Sequence, residues 1–299
     1  MEEKTEIAVV GGGFAGLSAA LYAARAGAAV TVLERGAPGG QILTAGRVEN
    51  YPGGEGDGAA LAERLLAQAK GAGARLLGQE VTGVTWNGGG RLETDGGVLL
   101  CRSLILAVGA RRRRLGVPGE ERLAGRGVSW CATCDGSFFR GRTVAVVGGG
   151  NAAFGEAIAL SQLCTRVLLL VRSTARADRL LLARAEQRQN LVQLHGVRVL
   201  EILGGERVTG LRVLHNGREE QLAVDGVFEA IGTEPDTGLA ASLLPRGEDG
   251  GIVTDRECRT AVPGIFAVGD CRSGAVRQLV TAAADGAVAG LLAAKSLLM

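Results

Sequence analysis

Trp130-Cys131-Ala132-Thr133-Cys134-Asp135-Gly136 sets two cysteines three positions apart, with a carboxylate directly after the second. Such a pair can close a small disulfide and reopen it, or supply half of a zinc site. Zinc would need two further Cys or His ligands at suitable spacing. There is no second CxxC, and the two histidines, His195 and His215, are remote from the pair in sequence. Redox chemistry is therefore the reading for Cys131 and Cys134, with no metal. A thiolate rather than a thiol attacks a disulfide, so a helix opened by this segment would favour reactivity through its free N–H groups. Asp135 is placed to carry a proton to or from the thiols, a role that partial burial supports. The plainer alternative for Asp135 is helix capping.

The other four cysteines, Cys101, Cys164, Cys258 and Cys271, stand singly in mostly apolar surroundings and read as small buried hydrophobes. A chain of 299 residues, 46% hydrophobic, can bury two domain cores. Its 49 glycines cluster in turns between apolar runs without a triplet period, which fits an α/β fold. A net charge of +2 offers no argument for nucleic acid or membrane binding. No apolar run reads as approaching the ~18 residues of a membrane helix. The start, Met1-Glu2-Glu3-Lys4, is acidic and leads into a strand, unlike a secretion signal. With six cysteines and no such signal, a cytoplasmic protein is expected.

Two glycine-rich loops flank the cysteine pair. Ile7–Val10 reads as a buried strand, Gly11-Gly12-Gly13-Phe14-Ala15-Gly16 follows, then an Ala-rich helical pattern, a second strand Val30–Leu33, and Glu34. Strand, GxGxxG, helix, strand and acid is the dinucleotide-binding order: Gly11 for the turn, Gly13 for close approach of a pyrophosphate, Gly16 for helix–strand packing, Glu34 for ribose hydroxyls. The helix N-terminus would meet the phosphates. Thr143–Val147, Gly148-Gly149-Gly150-Asn151-Ala152-Ala153, a helical pattern to Leu163 and the strand Arg166–Val171 form a second such unit. Here the terminal acid is replaced by Arg172, with Arg176 and Arg179 nearby, which suits a 2′-phosphate; a solvated surface loop is the alternative. A late strand ends in Gly269-Asp270, followed by Arg277, Gln278 and an Ala-rich helical pattern from Leu279 to Leu298. The expected fold is α/β: two Rossmann-like nucleotide-binding domains, the second inserted into the first. Its expected boundaries are 1–112 and 243–299 for a FAD-binding domain and 113–242 for the domain carrying the cysteine pair. The run Arg111–Arg114 is either a docking patch for an acidic partner or a solvated linker.

With these residues placed, the chain resembles the bacterial-type, low-molecular-weight thioredoxin reductases along nearly its whole length. The likeness rests on Gly11–Gly16, Pro38-Gly39-Gly40-Gln41, Val48-Glu49-Asn50-Tyr51-Pro52-Gly53, Cys131–Asp135, Gly148–Ala153, Gly269-Asp270 and Arg277-Gln278. It implies a homodimer with one FAD per chain, passing electrons from NADPH through FAD to the cysteine pair and then to thioredoxin. It also implies that Cys134 is the cysteine nearer the flavin, that Cys131 is the interchange thiol, and that the inserted domain turns about its two crossings. The expected cofactor-binding set is Gly11, Gly13, Phe14, Ala15, Gly16, Glu34, Arg35, Gly40, Gln41, Asn50, Val81, Gly109, Gly269, Asp270, Arg277 and Gln278, with Gly150, Asn151, Ala152, Arg172 and Arg176 for the pyridine nucleotide. The family's His-Arg-Arg-x-x-x-Arg motif departs here to Val171-Arg172-Ser173-Thr174-Ala175-Arg176, one His and one Arg fewer and with shortened spacing. Ferredoxin or another flavin is accordingly the alternative donor. The alternative functions are a FAD-dependent dithiol oxidase using oxygen and a catalytically idle flavoprotein serving as a sensor or binding module.

Overall fold

The computed structural model describes residues 2–44, 47–48, 50–54 and 56–298, so Glu49 of the quoted motif lies outside it. The chain forms two compact units, Met1–Arg111 with Glu234–Met299, and Arg112–Thr233.

The first unit is built on a parallel five-stranded sheet in the order Ile265–Ala267, Ser103–Leu106, Ile7–Val10, Val30–Leu33, Arg75–Leu77. Every residue of Ile7–Val10 and Ser103–Leu106 is buried. That is why these strands read as continuous apolar runs rather than alternating ones. A four-stranded sheet, Glu2–Lys4, Gly97–Cys101, Gly90–Thr94 and Val81–Trp86, packs against it through a core that joins Ala8, Leu104 and Leu106 with Leu92 and Leu99. The helices Phe14–Arg25 and Leu279–Ser296 pack together through small residues: a side chain at Gly286 or Gly290 would collide with the carbonyl oxygen of Ala15 or Ala19.

The helix Leu279–Ser296 corrects one expectation, since it is long and apolar enough by length and composition to cross a membrane. Within its unit it buries Ala282, Ala289, Ala293 and Ala294 in the core around Phe14–Arg25. Its Asp285 pairs with Arg272 at 2.6 Å.

The second unit repeats the plan. Its parallel sheet runs Val128–Ser129, Gly226–Glu229, Thr143–Val147, Arg166–Val171, Leu191–His195. An antiparallel sheet, Val197–Gly204, Val208–His215 and Arg218–Ala223, covers one side, and the helices Asn151–Ser161 and Arg179–Glu186 belong to the other core. Two Rossmann-like units, the second within the first, is the expected architecture.

The second boundary differs from the expected 242/243 and falls between Thr233 and Glu234. The cause is packing. Leu239, Ala240, Leu243 and Leu244 join the first unit's core with Leu92, Leu99, Leu104 and Leu106. The Arg111–Arg114 run is also engaged: Arg111 pairs with Glu234 at 2.7 Å and Arg114 with Glu121 at 2.8 Å.

Candidate active site

The redox segment starts from a short buried strand, Val128–Ser129, and enters a helix of one turn, Ala132–Asp135, that continues as a 3-10 turn, Gly136–Phe139. Cys131 is the N-cap of that helix, and its Sγ accepts the Cys134 N–H at 3.1 Å. Cys131 and Cys134 are joined as a disulfide, with Cα atoms 5.4 Å apart. A backbone N–H on Sγ stabilises the thiolate formed when the disulfide opens. Cys131 is buried and Cys134 exposed.

Asp135 closes the helix rather than capping its start, and makes no capping bond to the 3-10 turn that follows. Its Oδ2 accepts the Ser129 hydroxyl at 2.6 Å, while Ser129 Oγ accepts the Cys131 N–H at 3.1 Å. One buried hydroxyl thus ties the carboxylate to the first cysteine. Trp130, between them, donates its indole N–H to Glu229 Oε2 at 2.9 Å. Burial pushes the Glu229 carboxyl up to about 8, and the nearby Glu120 carboxyl adds to the rise. Neither Ser129 nor Glu229 was singled out from sequence. The available signals were a hydroxyl two places before the first cysteine and an acid ending the apolar run Val227-Phe228.

In the same unit, Gly148 turns the chain at φ +151° off the strand Thr143–Val147, a conformation that needs glycine. The helix Asn151–Ser161 begins at Gly150 with no side chain capping it, and nothing occupies the space a Gly150 side chain would take. Free N–H groups beside open space fit a phosphate group. The loop after Val171 folds back onto this turn: Arg176 N donates to Gly149 O at 2.6 Å, Asn151 Nδ2 to Asp178 Oδ2 at 2.7 Å, and Asp178 N to Asn151 Oδ1 at 2.8 Å. Ala152, Arg172 and Arg176 are exposed at the loop. Glu156, on the same helix, has a buried Oε2 with no partner among the described residues. Burial pushes its carboxyl up to about 7 against the opposing pull of Arg112.

The first unit holds the matching loop. Gly11 takes φ +104°, and Phe14–Arg25 starts at Gly13 without a side-chain cap. Glu34 accepts the Gly12 N–H at 2.6 Å and the Gly36 N–H at 2.8 Å. Phe14, Ala15 and Gly16 are buried in the first helical turn, Phe14 edge-on to Tyr51 with centroids 5.4 Å apart. Gly40 lies against Gly13, and Gln41 donates to Ala110 O at 3.0 Å. Asn50 donates to Gln278 Oε1 at 2.9 Å, and Gln278 in turn caps Leu279–Ser296 reciprocally with Thr281. Burial raises the Asp270 carboxyl, with Arg277 opposing. Asp285 Oδ2 accepts the Gly269 N–H at 3.1 Å, fixing the turn that presents Asp270.

The rest of the expected cofactor set in this unit is Arg35, Val81 and Gly109. Arg35 is exposed and pairs with Glu80 and Asp236, Val81 opens a strand of the four-stranded sheet, and Gly109 O accepts the Asp236 N–H at 3.0 Å. The four single cysteines are all buried. Burial pushes Cys101, Cys164 and Cys271 up to about 11 and Cys258 up to about 12, so none is a ready nucleophile.

A disulfide in a unit with its own nucleotide loop, enclosed in sequence by a second such unit, defines a nucleotide-dependent disulfide oxidoreductase. Comparison with known proteins agrees. The profile of the family "Pyridine nucleotide-disulphide oxidoreductase" matches residues 5–286. A thioredoxin reductase of Listeria innocua is 41% identical over 98% of this chain and 94% of its own. The crystal structure of Lactococcus lactis thioredoxin reductase superposes with a TM-score of 0.95 at 35% identity, covering 98% of this chain and 99% of the other. A ferredoxin-flavin thioredoxin reductase from Clostridium acetobutylicum matches at TM-score 0.54 and 28% identity, over 100% and 99% of the two chains. The chain belongs to the pyridine nucleotide-disulphide oxidoreductases and, among them, to the low-molecular-weight thioredoxin reductases. It is an oxidoreductase.

Proposed function

We propose that the protein reduces the disulfide of thioredoxin or a thioredoxin-like protein through Cys131 and Cys134, with FAD held by the first unit and reduced pyridine nucleotide docking on the second. The observation that carries this reading is the redox turn itself: a disulfide whose Cys131 Sγ receives a backbone N–H, with Asp135 anchored alongside by Ser129. The uncapped helix start at Gly13, the carboxylate of Glu34 and the Asp270, Arg277 and Gln278 group suit a dinucleotide such as FAD. Bound there, FAD would supply two electrons.

Two electrons and two protons open the Cys131–Cys134 disulfide to two thiols. The Cys131 thiolate then attacks one sulfur of the substrate disulfide, forming a mixed disulfide and expelling a thiolate. Asp135 delivers a proton to the departing sulfur. Cys134, as thiolate, attacks Cys131 Sγ, releases the reduced substrate and restores the resting disulfide. Because Cys131 is buried in the oxidised turn, its interchange role requires the turn to open once reduced. Arg172 and Arg176 are the residues that would meet a 2′-phosphate. The shortened motif between them also favours a second donor reading, in which ferredoxin or another flavin supplies the electrons.

Anaerobic titration of the holoprotein tests the proposal. The flavin should bleach with NADPH and recolour on addition of oxidised thioredoxin. Protein that binds no flavin in excess FAD, or reduced flavin that recolours with oxygen but not with thioredoxin, would overturn it.

A further inference from the structure

Glu120 and Glu229 are almost fully buried, 2% and 4% exposed. Leu115, Val117 and Trp130, which these carboxyls bond, pack against the apolar cluster that contains Leu123, Val128 and Ile202. Glu120 Oε2 accepts the N–H groups of Gly116 at 2.6 Å and Val117 at 3.4 Å. Glu229 accepts the Trp130 indole N–H at 2.9 Å and the Leu115 backbone N–H. The remaining oxygens, Glu120 Oε1 and Glu229 Oε1, are buried and find no N–H or O–H donor among the described residues. Burial, and after it the neighbouring Glu120 carboxyl, makes Glu229 hold its proton above the usual carboxylate range, and that proton, offered to Glu120, supplies the missing donor.

The pair therefore joins three segments: residues 115–120, Trp130 beside Cys131, and the end of the strand Gly226–Glu229. The geometry points to Glu229 as a positioning residue of the redox turn, whose buried carboxyl holds Trp130, and through it Cys131, in place. This rests on the disulfide-reductase reading and adds to it a residue that touches neither substrate nor cofactor.

The titratable group facing Glu229 is Glu120. Of the other charged groups in the unit, Arg114 pairs with Glu121, Arg122 donates to Gly205 O, Asp135 is held by Ser129, and Arg212 on the antiparallel sheet is taken by Glu201 and Glu219. Loss of the shared proton in alkaline solution sets two like charges against each other in a dry site, and the contact that yields releases Trp130 or the 115–117 backbone.

Two readouts test this on the FAD-loaded full chain. In a Trp86→Phe background Trp130 is the remaining tryptophan, and its emission should shift with a midpoint near 8, the value to which Glu229 is pushed. Reduction of oxidised thioredoxin at saturating donor should fall about tenfold between neutral and alkaline pH, the scale of one lost hydrogen bond to a charged group. Glu229→Gln and Glu120→Gln, which remove one ionisation and keep the shape, should abolish both the emission shift and the alkaline fall. Trp130→Phe should abolish the fall while the pair still titrates. Flat Trp130 emission in the parent, or an unchanged alkaline limb in both Gln variants, would overturn the inference. An emission shift that Glu229→Gln removes, in a protein that reduces no disulfide at any pH, would instead sink the functional reading and leave the acid pair standing.

Discussion

Ser129 concentrates the chemistry of the redox turn in a single hydroxyl. It donates a hydrogen bond to Asp135 and accepts one from the Cys131 N–H, so the carboxylate cannot swing away from the first cysteine without breaking that bond. Ser129→Ala should leave the flavin bound and slow thioredoxin reduction by about tenfold, since a hydrogen bond to a charged group contributes about 1.5–3 kcal/mol. Ser129→Thr, which retains the hydroxyl, should recover most of the rate; equal rates in the alanine variant and the parent would remove Asp135 from its assigned role. The cysteines divide by the same logic. Cys131→Ser and Cys134→Ser should each abolish disulfide reduction with flavin retained, because a lone thiol cannot store two electrons as a disulfide. Cys271→Ala should cost stability rather than turnover, since its thiol is buried and donates to Leu106 O and Val268 O.

At the scale of elements, the glycine loops were readable because strand, tight turn and uncapped helix each leave a residue-level mark. The apolar runs Ile7–Val10 and Thr143–Val147 form strands as their patterns imply and Gly11 and Gly148 turn at positive φ, while the helices expected from Leu17 and Phe154 begin three residues earlier, at Phe14 and Asn151. The acid pair was not readable. Glu120 and Glu229 are over a hundred positions apart, and nothing in either neighbourhood announces that the fold buries them together. The last helix announces itself by an Ala-rich pattern, but its mode of packing depends on glycines at contact points. Gly290→Ala should lower stability by about 1–3 kcal/mol, the usual cost of overpacking, because its methyl meets the Ala19 carbonyl. A urea midpoint equal to the parent's would refute that packing. The acid pair makes a signed prediction too. Glu229 ordinarily ionises near 4.5 and is pushed up to about 8 when folded, so the folded state holds its proton more tightly than the unfolded chain. This stability is fully present below about 4.5 and is lost as pH rises through about 8. Urea midpoints should therefore show Glu229→Gln gaining on the parent from pH 5 to pH 9; a constant difference would mean the carboxyl is not buried as described.

For the whole molecule, the nested order of two nucleotide units was legible because a late strand ending in Gly269-Asp270 adds a third nucleotide signal after the two glycine loops. The second boundary was not, because Leu239–Leu244 looks like linker in sequence and becomes core only through contact with strands far back in the chain. The electron donor is the property that depends on both readings. The second loop keeps the turn at Gly148 and the open helix start at Gly150, which suit a pyrophosphate. What is thinned is the clamp at the end of the strand Arg166–Val171, where the resemblance implies His and Arg in place of Val171 and Ser173. One missing charged hydrogen bond is about 1.5–3 kcal/mol, or roughly one to two decades of affinity. Stopped-flow reduction of the bound flavin should show weak use of NADPH with poor discrimination against NADH. Arg172→Ala should weaken NADPH further and leave NADH nearly unchanged, whereas Ser173→Arg should tighten NADPH by about tenfold without changing NADH, because only the 2′-phosphate meets the new charge. Tight, strongly NADPH-selective reduction in the parent would show that the remaining arginines suffice. Failure of both nucleotides to reduce the flavin, in the parent and in Ser173→Arg alike, would assign the electrons to ferredoxin or another flavin and leave the second glycine loop a feature of the fold alone.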